Sequence, residues 1–282
     1  MEAYHELAQS YDRLTSDVDY DATVAFYYEI LKREGLNPRT AVDLACGTGS
    51  VALRLAQKGL QVTAVDMSWQ MLMVAQQKAL EADVYPQFVC QSLQQLHLPV
   101  GVDLAVCALD SIDYILDPKD CETAIQRIYK ALNPGGCFIF DVNTPEKLRA
   151  MDGQVFLDED DDVYCVWRGE FDEQTNICSY GMDLFQRQGK VWNRSYEEHR
   201  EYAYSEAQLR GYLKDAGFTH IEVYADRSFE EHREYAYSAQ QLVGYLKKAG
   251  FTSICVYADR SFEAPKAGEQ RIYLKARKGR IK

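Results

Sequence analysis

Apolar positions along the first half of the chain change period several times, and each change marks an element. Over residues 20–34 (YDATVAFYYEILKRE), Val24, Tyr27, Tyr28 and Leu31 fall on one helical face, which predicts an amphipathic helix ended by Asn37-Pro38. The pattern then turns to short, nearly unbroken apolar runs. TAVDLACGTG, LQVTAVDMS, PQFVCQS, GVDLAVCALDS and CFIFDVNT predict five strands. Between them SVALRLAQKG, SWQMLMVAQQKALEA and residues 119–132 predict helices, the first stopped by Gly59 and the second capped by Ser68. Asn133-Pro-Gly-Gly136 predicts a turn. Strands without polar alternation are buried on both faces. The first 145 residues are therefore expected to form an α/β unit, a Rossmann-like, doubly wound and mostly parallel sheet.

From about residue 150 the pattern is different. DEDDD (158–162) reads as a solvated loop, and VYCVWRGEF, NICSYGMDLF and KVWNRSYEEHREYAY read as three β segments of an inserted antiparallel meander. Residues 195–227 then recur as 228–260, identical at 26 of 33 positions. Two copies are too few for a solenoid, so this is a tandem duplication. The first EEHREYAY continues the meander and is expected to pair there. The ICVYAD of the second copy precedes EQRIYLKARK (269–278), and these two are expected to close the sheet as a terminal antiparallel hairpin. The surplus helix and strand would be looped out, or exchanged between two chains in a homodimer. Three regions result: a cap and core over 1–149, the meander over 150–204, and a C-terminal part of the core over 205–282.

Charge and composition narrow the function. A net charge of -12 over 282 residues disfavours nucleic acid and anionic membrane partners. No stretch approaches the roughly 18 apolar residues of a membrane helix, and the polar start MEAYHELAQSYDRL is unlike a signal peptide. A cytoplasmic protein is expected. Of eight cysteines none forms a C-x-x-C pair, and Cys46, Cys90, Cys107, Cys137, Cys165 and Cys255 sit in apolar runs, as buried free thiols would. The five histidines are scattered, so no metal site is expected.

The chemistry concentrates at Val42-Asp43-Leu44-Ala45-Cys46-Gly47-Thr48-Gly49-Ser50, where a strand ends in Gly-x-Gly and opens a helix. Such a turn lets backbone amides approach a ligand, as dinucleotide-binding proteins also do. Asp43, inside the strand, is placed to anchor the turn's amides or a ligand ammonium. Asp66 closes the second strand, placed to accept from ribose hydroxyls. These features, with the antiparallel terminal hairpin, favour S-adenosylmethionine over a nicotinamide.

Here the chain resembles the class I S-adenosylmethionine-dependent methyltransferases, and within them bacterial small-molecule members. The resemblance rests on Tyr4, Ala8, Tyr11-Asp12, Asp17-Val18-Asp19-Tyr20, VDLACGTGS, AVDMSWQML, FVCQSLQQL, ALDSIDYI, LNPGGCFIFDVNT and EEHREYAY. It implies a small-molecule methyl acceptor. It also implies that Asp43, Ala45, Gly47 and Gly49 hold the methionyl part of the cofactor, and that Asp66 and Met67 hold ribose and adenine. Gln91, Ser92 and Leu93 would flank the adenine, Leu109 and Ser111 would line the floor beneath the sulfonium, and Tyr11 and Tyr20 would close over it. Members of the family often carry an acid where Ser92 stands, so adenine anchoring is expected to be weaker here. His199, in EEHREY, is the acid–base candidate, and its alternative is a structural pairing with Glu197, Glu198 or Glu201. Trp167 and Trp192 on the meander suggest an apolar or planar acceptor. The competing functions are a nicotinamide-dependent oxidoreductase and a non-catalytic S-adenosylmethionine-binding protein.

Overall fold

In the computed structural model, which describes residues 11–15, 18–159, 162–226 and 271–278, the chain builds two sheets. The larger contains β1 (Thr40–Leu44), β2 (Gln61–Asp66), β3 (Gln87–Cys90), β4 (Val102–Cys107), β5 (Leu132–Asn143), β10 (Phe218–Asp226) and β11 (Arg271–Lys278). Their order is β10-β11-β5-β4-β1-β2-β3; β1 to β5 pair in parallel, and β11 runs antiparallel to both β5 and β10. The smaller sheet is a meander of β6 (Val155–Glu159), β7 (Val163–Asp172), β8 (Ile177–Gln188) and β9 (Val191–Tyr202), antiparallel throughout.

Strand alternation sends successive apolar residues to opposite faces, so each face needs its own helical cover. Ala41, Leu104 and Ile139 pack with Val24, Tyr27, Ile30 and Leu31 of α2 (Tyr20–Arg33) and Leu55 of α3 (Ser50–Gln57). Their neighbours Val42, Ala105, Phe138 and Phe140 pack with Ile125 and Ile128 of α5 (Pro118–Ala131), and with Leu209 and Leu213 of α7 (Glu206–Ala216). The remaining helices are α1 (Tyr11–Leu14), α4 (Trp69–Glu81) and α6 (Pro145–Ala150). Ser68 caps α4 by accepting from Met71 N, and Gly59, just past the end of α3, takes φ +90°.

Four expectations are corrected. The acidic run 158–162 is not all loop, because β6 extends into it and pairs antiparallel with β7. The Asn133–Gly136 segment belongs to β5, entered with a shift of register against β4. Cys90 is exposed at the end of an edge strand, whereas Cys107, Cys121, Cys137, Cys165 and Cys178 are buried. Most informatively, β11 pairs with Phe218–Asp226 of the first repeat copy.

Loop closure favours that choice. The core contacts cannot decide, because Leu209, Leu213, Phe218, Val223 and Tyr224 recur as Leu242, Leu246, Phe251, Val256 and Tyr257. With the first copy in place, the 33 extra residues lengthen the β10–β11 connection from 11 to 44 residues (227–270). With the second copy in place, they would lengthen the three-residue β9–α7 connection (203–205) to 36. Closure cost rises with the logarithm of length, so the first arrangement costs about 1.2 kcal/mol and the second about 2.2 kcal/mol. Residues 228–260, and with them His232 and Cys255, lie outside the described residues, as do Tyr4, Ala8 and Asp17.

Candidate active site

The C-terminal ends of β1 and β4 open on a cavity, where open α/β sheets bind their ligands. It is lined by Tyr11, Tyr20, Asp43, Ala45, Gly47, Thr48, Leu109 and Ser111, among others. Seven of the thirteen residues expected at a cofactor therefore share it. The backbone around it is strained: Ala45, Leu109 and Asp110 take φ +51°, +56° and +52° without being glycine. Asp141, at the end of β5, holds two of them in place. Its carboxylate oxygens accept from Leu109 N (2.9 Å) and Asp110 N (3.0 Å). Sequence reasoning missed Asp141, since its only signal is an acid inside a buried strand.

The two aspartates divide their work. Asp66 grips the turn, accepting from Gly47 N and Ser68 N at 2.8 Å each, so both carboxylate oxygens already serve backbone amides. Burial raises its pKa, and those amides oppose the rise. Asp43 is 1% exposed, and its Oδ2 has no hydrogen-bond partner. Burial pushes its carboxyl up to about 8, a backbone bond from Ala52 pulls it down, and nearby Asp66 adds to the rise. A buried carboxylate oxygen left unpaired at a cavity fits a ligand ammonium.

The two glycines of the turn also differ. Gly47 has φ +52°, and a Cβ there would meet nothing within 4 Å, so it faces open space in the cavity wall. Gly49 has φ +79°, and a Cβ there would lie 3.0 Å from Ala75 Cβ, so it lets α3 approach α4. Of the residues expected around ribose and adenine, Met67 is largely exposed. Gln91 donates its backbone N–H to Asp66 O (3.0 Å), and its Oε1 accepts from His97 N (3.1 Å). Ser92 makes no side-chain cap bond, and Leu93 is buried in the core cluster over α5.

His199 is 2% exposed, on the face of β9 that also buries Glu197 and Glu201. Its Nε2 lies 3.2 Å from Glu197 Oε2 and its Nδ1 lies 3.4 Å from Tyr114 Oη. The pairing with Glu197 is thus present, and Tyr114, half-buried, is the outer member of the array. Close by, Asp113 is fully buried; its Oδ2 accepts from Asn143 N (2.8 Å) and its Oδ1 has no partner. Burial, then the neighbouring Glu201, raises the Asp113 pKa well above the usual carboxylate range. The two tryptophans part company. Trp167 stands across from Met182 and Glu197, on the inner face, and packs with the Val163, Cys165, Met182 and Leu184 cluster. Trp192 is 48% exposed and shares the outer face with Arg194 and Tyr196, so the expectation that it meets the acceptor is corrected. Tyr11 joins the two regions, since it lines the cavity and packs on the same inner cluster as Trp167.

No helix among the described residues is long and apolar enough to cross a membrane, and no cluster of His, Cys, Asp or Glu among them suits a metal. The profile of a family described as Methyltransferase domain matches residues 41–136. A Geobacillus protein named as a methyltransferase is 32% identical over 227 residues, covering 79% of this chain and 92% of the relative. A Bacillus subtilis protein similarly named is 29% identical over 225 residues, covering 79% and 89%. Among solved structures, a S-adenosylmethionine-dependent methyltransferase from Clostridium acetobutylicum superposes with TM-score 0.79 at 28% identity, covering 99% of this chain and all of the other. A sugar N-methyltransferase from Streptoalloteichus shares the fold at TM-score 0.73 and 14% identity. None of these supports a nicotinamide oxidoreductase or a non-catalytic binder. With a buried carboxylate oxygen lacking a partner and an open-faced glycine at the end of β1, and relatives matched over nearly their whole length, this chain belongs to the class I S-adenosylmethionine-dependent methyltransferases.

Proposed function

We propose that the chain transfers a methyl group to an oxygen or nitrogen atom of a small molecule held between Tyr11, Trp167 and the Tyr114–His199–Glu197 array. The observation that supports this reading is the double engagement of Tyr11, which lines the cavity and packs against the inner cluster of the meander. Asp43 would hold the ammonium of the methionyl part, and Gly47 and Ala45 would leave room for its backbone approach. Gly49 would act indirectly, by fixing the start of α3. Asp66 would share its remaining lone pairs with the ribose, Met67, Gln91, Ser92 and Leu93 would border the adenine, and Leu109 and Ser111 would form the floor. Tyr20 would close the cap with Tyr11.

When bound, the cofactor supplies an electrophilic methyl group, so the protein's main task is to align the acceptor. Alignment of that kind contributes about 7–11 kcal/mol to lowering the barrier. A hydroxyl or ammonium acceptor must also lose a proton, and the array offers a route from Tyr114 inward to His199, with Glu197 stabilising the imidazolium formed. The test is steady-state kinetics of His199→Asn once an acceptor is found by screening. The variant should lower kcat by about 10²–10⁴-fold while leaving S-adenosylmethionine affinity unchanged. An unchanged kcat in that variant would leave His199 a structural residue and the proton without this route.

A further inference from the structure

Four side chains meet at the Gly turn, and two of them, Thr48 and Ser50, also line the cavity. Lys78, on α4, directs its ammonium at Asp12 Oδ2 (2.6 Å), Ser50 Oγ (3.0 Å) and Thr48 Oγ1 (3.2 Å), which uses all three of its donors. Thr48 Oγ1 donates in turn to Asp12 Oδ1 (2.6 Å). Asp12 follows Tyr11 on α1, while Thr48 stands between Gly47 and Gly49 in the cofactor turn. The residue that covers the cofactor cavity is therefore chained, one peptide bond away, to both the turn and a neighbouring helix. Thr48 is 1% exposed, whereas Lys78 and Asp12 side chains are 26% and 42% exposed. The inner half of the cluster is fixed and the outer half faces water.

We propose that Asp12 and Lys78 form a latch that fastens Tyr11 over bound S-adenosylmethionine and sets how long the cofactor stays. This rests on the assignment of the cavity to the cofactor. Demethylated cofactor must leave after each turnover, and releasing α1 requires the Asp12 bonds to Thr48 and Lys78 to break. Asp12 and Lys78 are thus positioning residues, acting through Tyr11. An ion pair half open to water is weakened by salt, so cofactor release should carry that signature.

The test is stopped-flow displacement of S-adenosylmethionine from the full chain, at about 50 and about 500 mM NaCl, spanning the range over which the screening length falls to a few ångströms. The proteins are wild type, Asp12→Asn, Lys78→Met, the double variant and Lys78→Arg. Each single neutral variant should raise koff by about 3–10-fold, the size set by a partly exposed charge-assisted contact, with little change in kon. The double variant should be no faster than the singles, because both break one latch. Lys78→Arg should restore slow release, and salt should accelerate wild type and Lys78→Arg but not the neutral variants. Unchanged koff in both single variants, or losses that multiply in the double variant, would overturn the latch. A wild type that binds no S-adenosylmethionine would instead overturn the cavity assignment. Melting of the cofactor-free variants serves as the control: a latch acting on release predicts melting close to wild type. A loss of stability without a change in koff would show a merely structural cluster.

Discussion

Replacing Asp43 with asparagine tests the cofactor assignment through proton counting. In the cofactor-free protein the Asp43 carboxyl is pushed up to about 8 by burial. A group with that pKa is about nine-tenths protonated at pH 7. Pairing with a ligand ammonium favours the ionised form, so binding should expel about 0.9 proton. The ligand's own amine, which ordinarily titrates at about 7.7–8.0, takes up about 0.1, for a net release of about 0.8. Calorimetric titration in two buffers of different ionisation enthalpy measures that number directly. Asp43→Asn should abolish the release and weaken S-adenosylmethionine by about 10–150-fold, the equivalent of a 1.5–3 kcal/mol charge-assisted bond. Stability gives a second reading. The folded pKa lies above the unfolded value of 3.8, so burial costs nothing below about pH 4. The cost then grows by about 1.4 kcal/mol per pH unit until about pH 8 and levels off. Asparagine escapes that cost but leaves an amide short of partners, worth about 1–3 kcal/mol. The melting temperature of the cofactor-free variant should therefore start below wild type at about pH 4 and overtake it by pH 8. Equal proton release in the two proteins, or a melting difference that stays flat over that range, would refute the reasoning.

The remaining predictions address neighbouring parts of the site. Gly47→Ala and Gly49→Ala both meet a positive φ, costing about 1 kcal/mol, but their effects should separate. The methyl at Gly47 enters the cavity and should chiefly lower cofactor affinity, whereas that at Gly49 presses on Ala75 and should chiefly lower the melting temperature. Trp167→Ala should raise KM for the acceptor while Trp192→Ala leaves it unchanged, a contrast that steady-state kinetics will read. Asp141→Ala frees the amides of Leu109 and Asp110 and should destabilise by about 1–3 kcal/mol per unsatisfied group, measured by denaturant unfolding. Deletion of residues 228–260 should leave circular dichroism and cofactor binding intact, since the first copy already fills the α7 and β10 positions; failure to fold would show that the second copy is required.

Much of the core was legible because parallel strands covered on both faces must read as apolar runs, and the helix ends carry local marks such as Ser68 and Gly59. Local chemistry also brought Asp43 and Gly47 to one place, since both sit on the same strand-to-turn segment. What escaped the sequence depends on long-range closure. Nothing local distinguishes the two copies of the repeat at their core positions; the lengths of the connections on either side do, as does the Glu206–Arg210 ion pair, which the second copy replaces with Ala239 and Val243. Asp141 reaches the Leu109–Asp110 loop across 31 and 32 positions, and Lys78 reaches Asp12 across 66, so neither pairing leaves a periodic trace. Which face of the meander Trp167 and Trp192 occupy follows from strand register, which apolar pattern alone left open. β6 was missed because an edge strand that runs into acidic residues lacks the alternation that marks its neighbours.

The position of β11 carries a consequence for how the molecule is made. This strand is laid down 44 residues after β10 yet lies between β10 and β5. During synthesis β5 therefore waits with one edge open, and β10 emerges with no strand to join, until residues 271–278 have left the ribosome. A nascent chain stalled before that point would hold a formed cofactor turn beside an incomplete sheet and an uncovered apolar edge. Such an edge invites pairing with other chains. The late strand thus sets the moment at which the protein becomes safe from aggregation, and the repeat, inserted just ahead of it, delays that moment by 33 residues of translation.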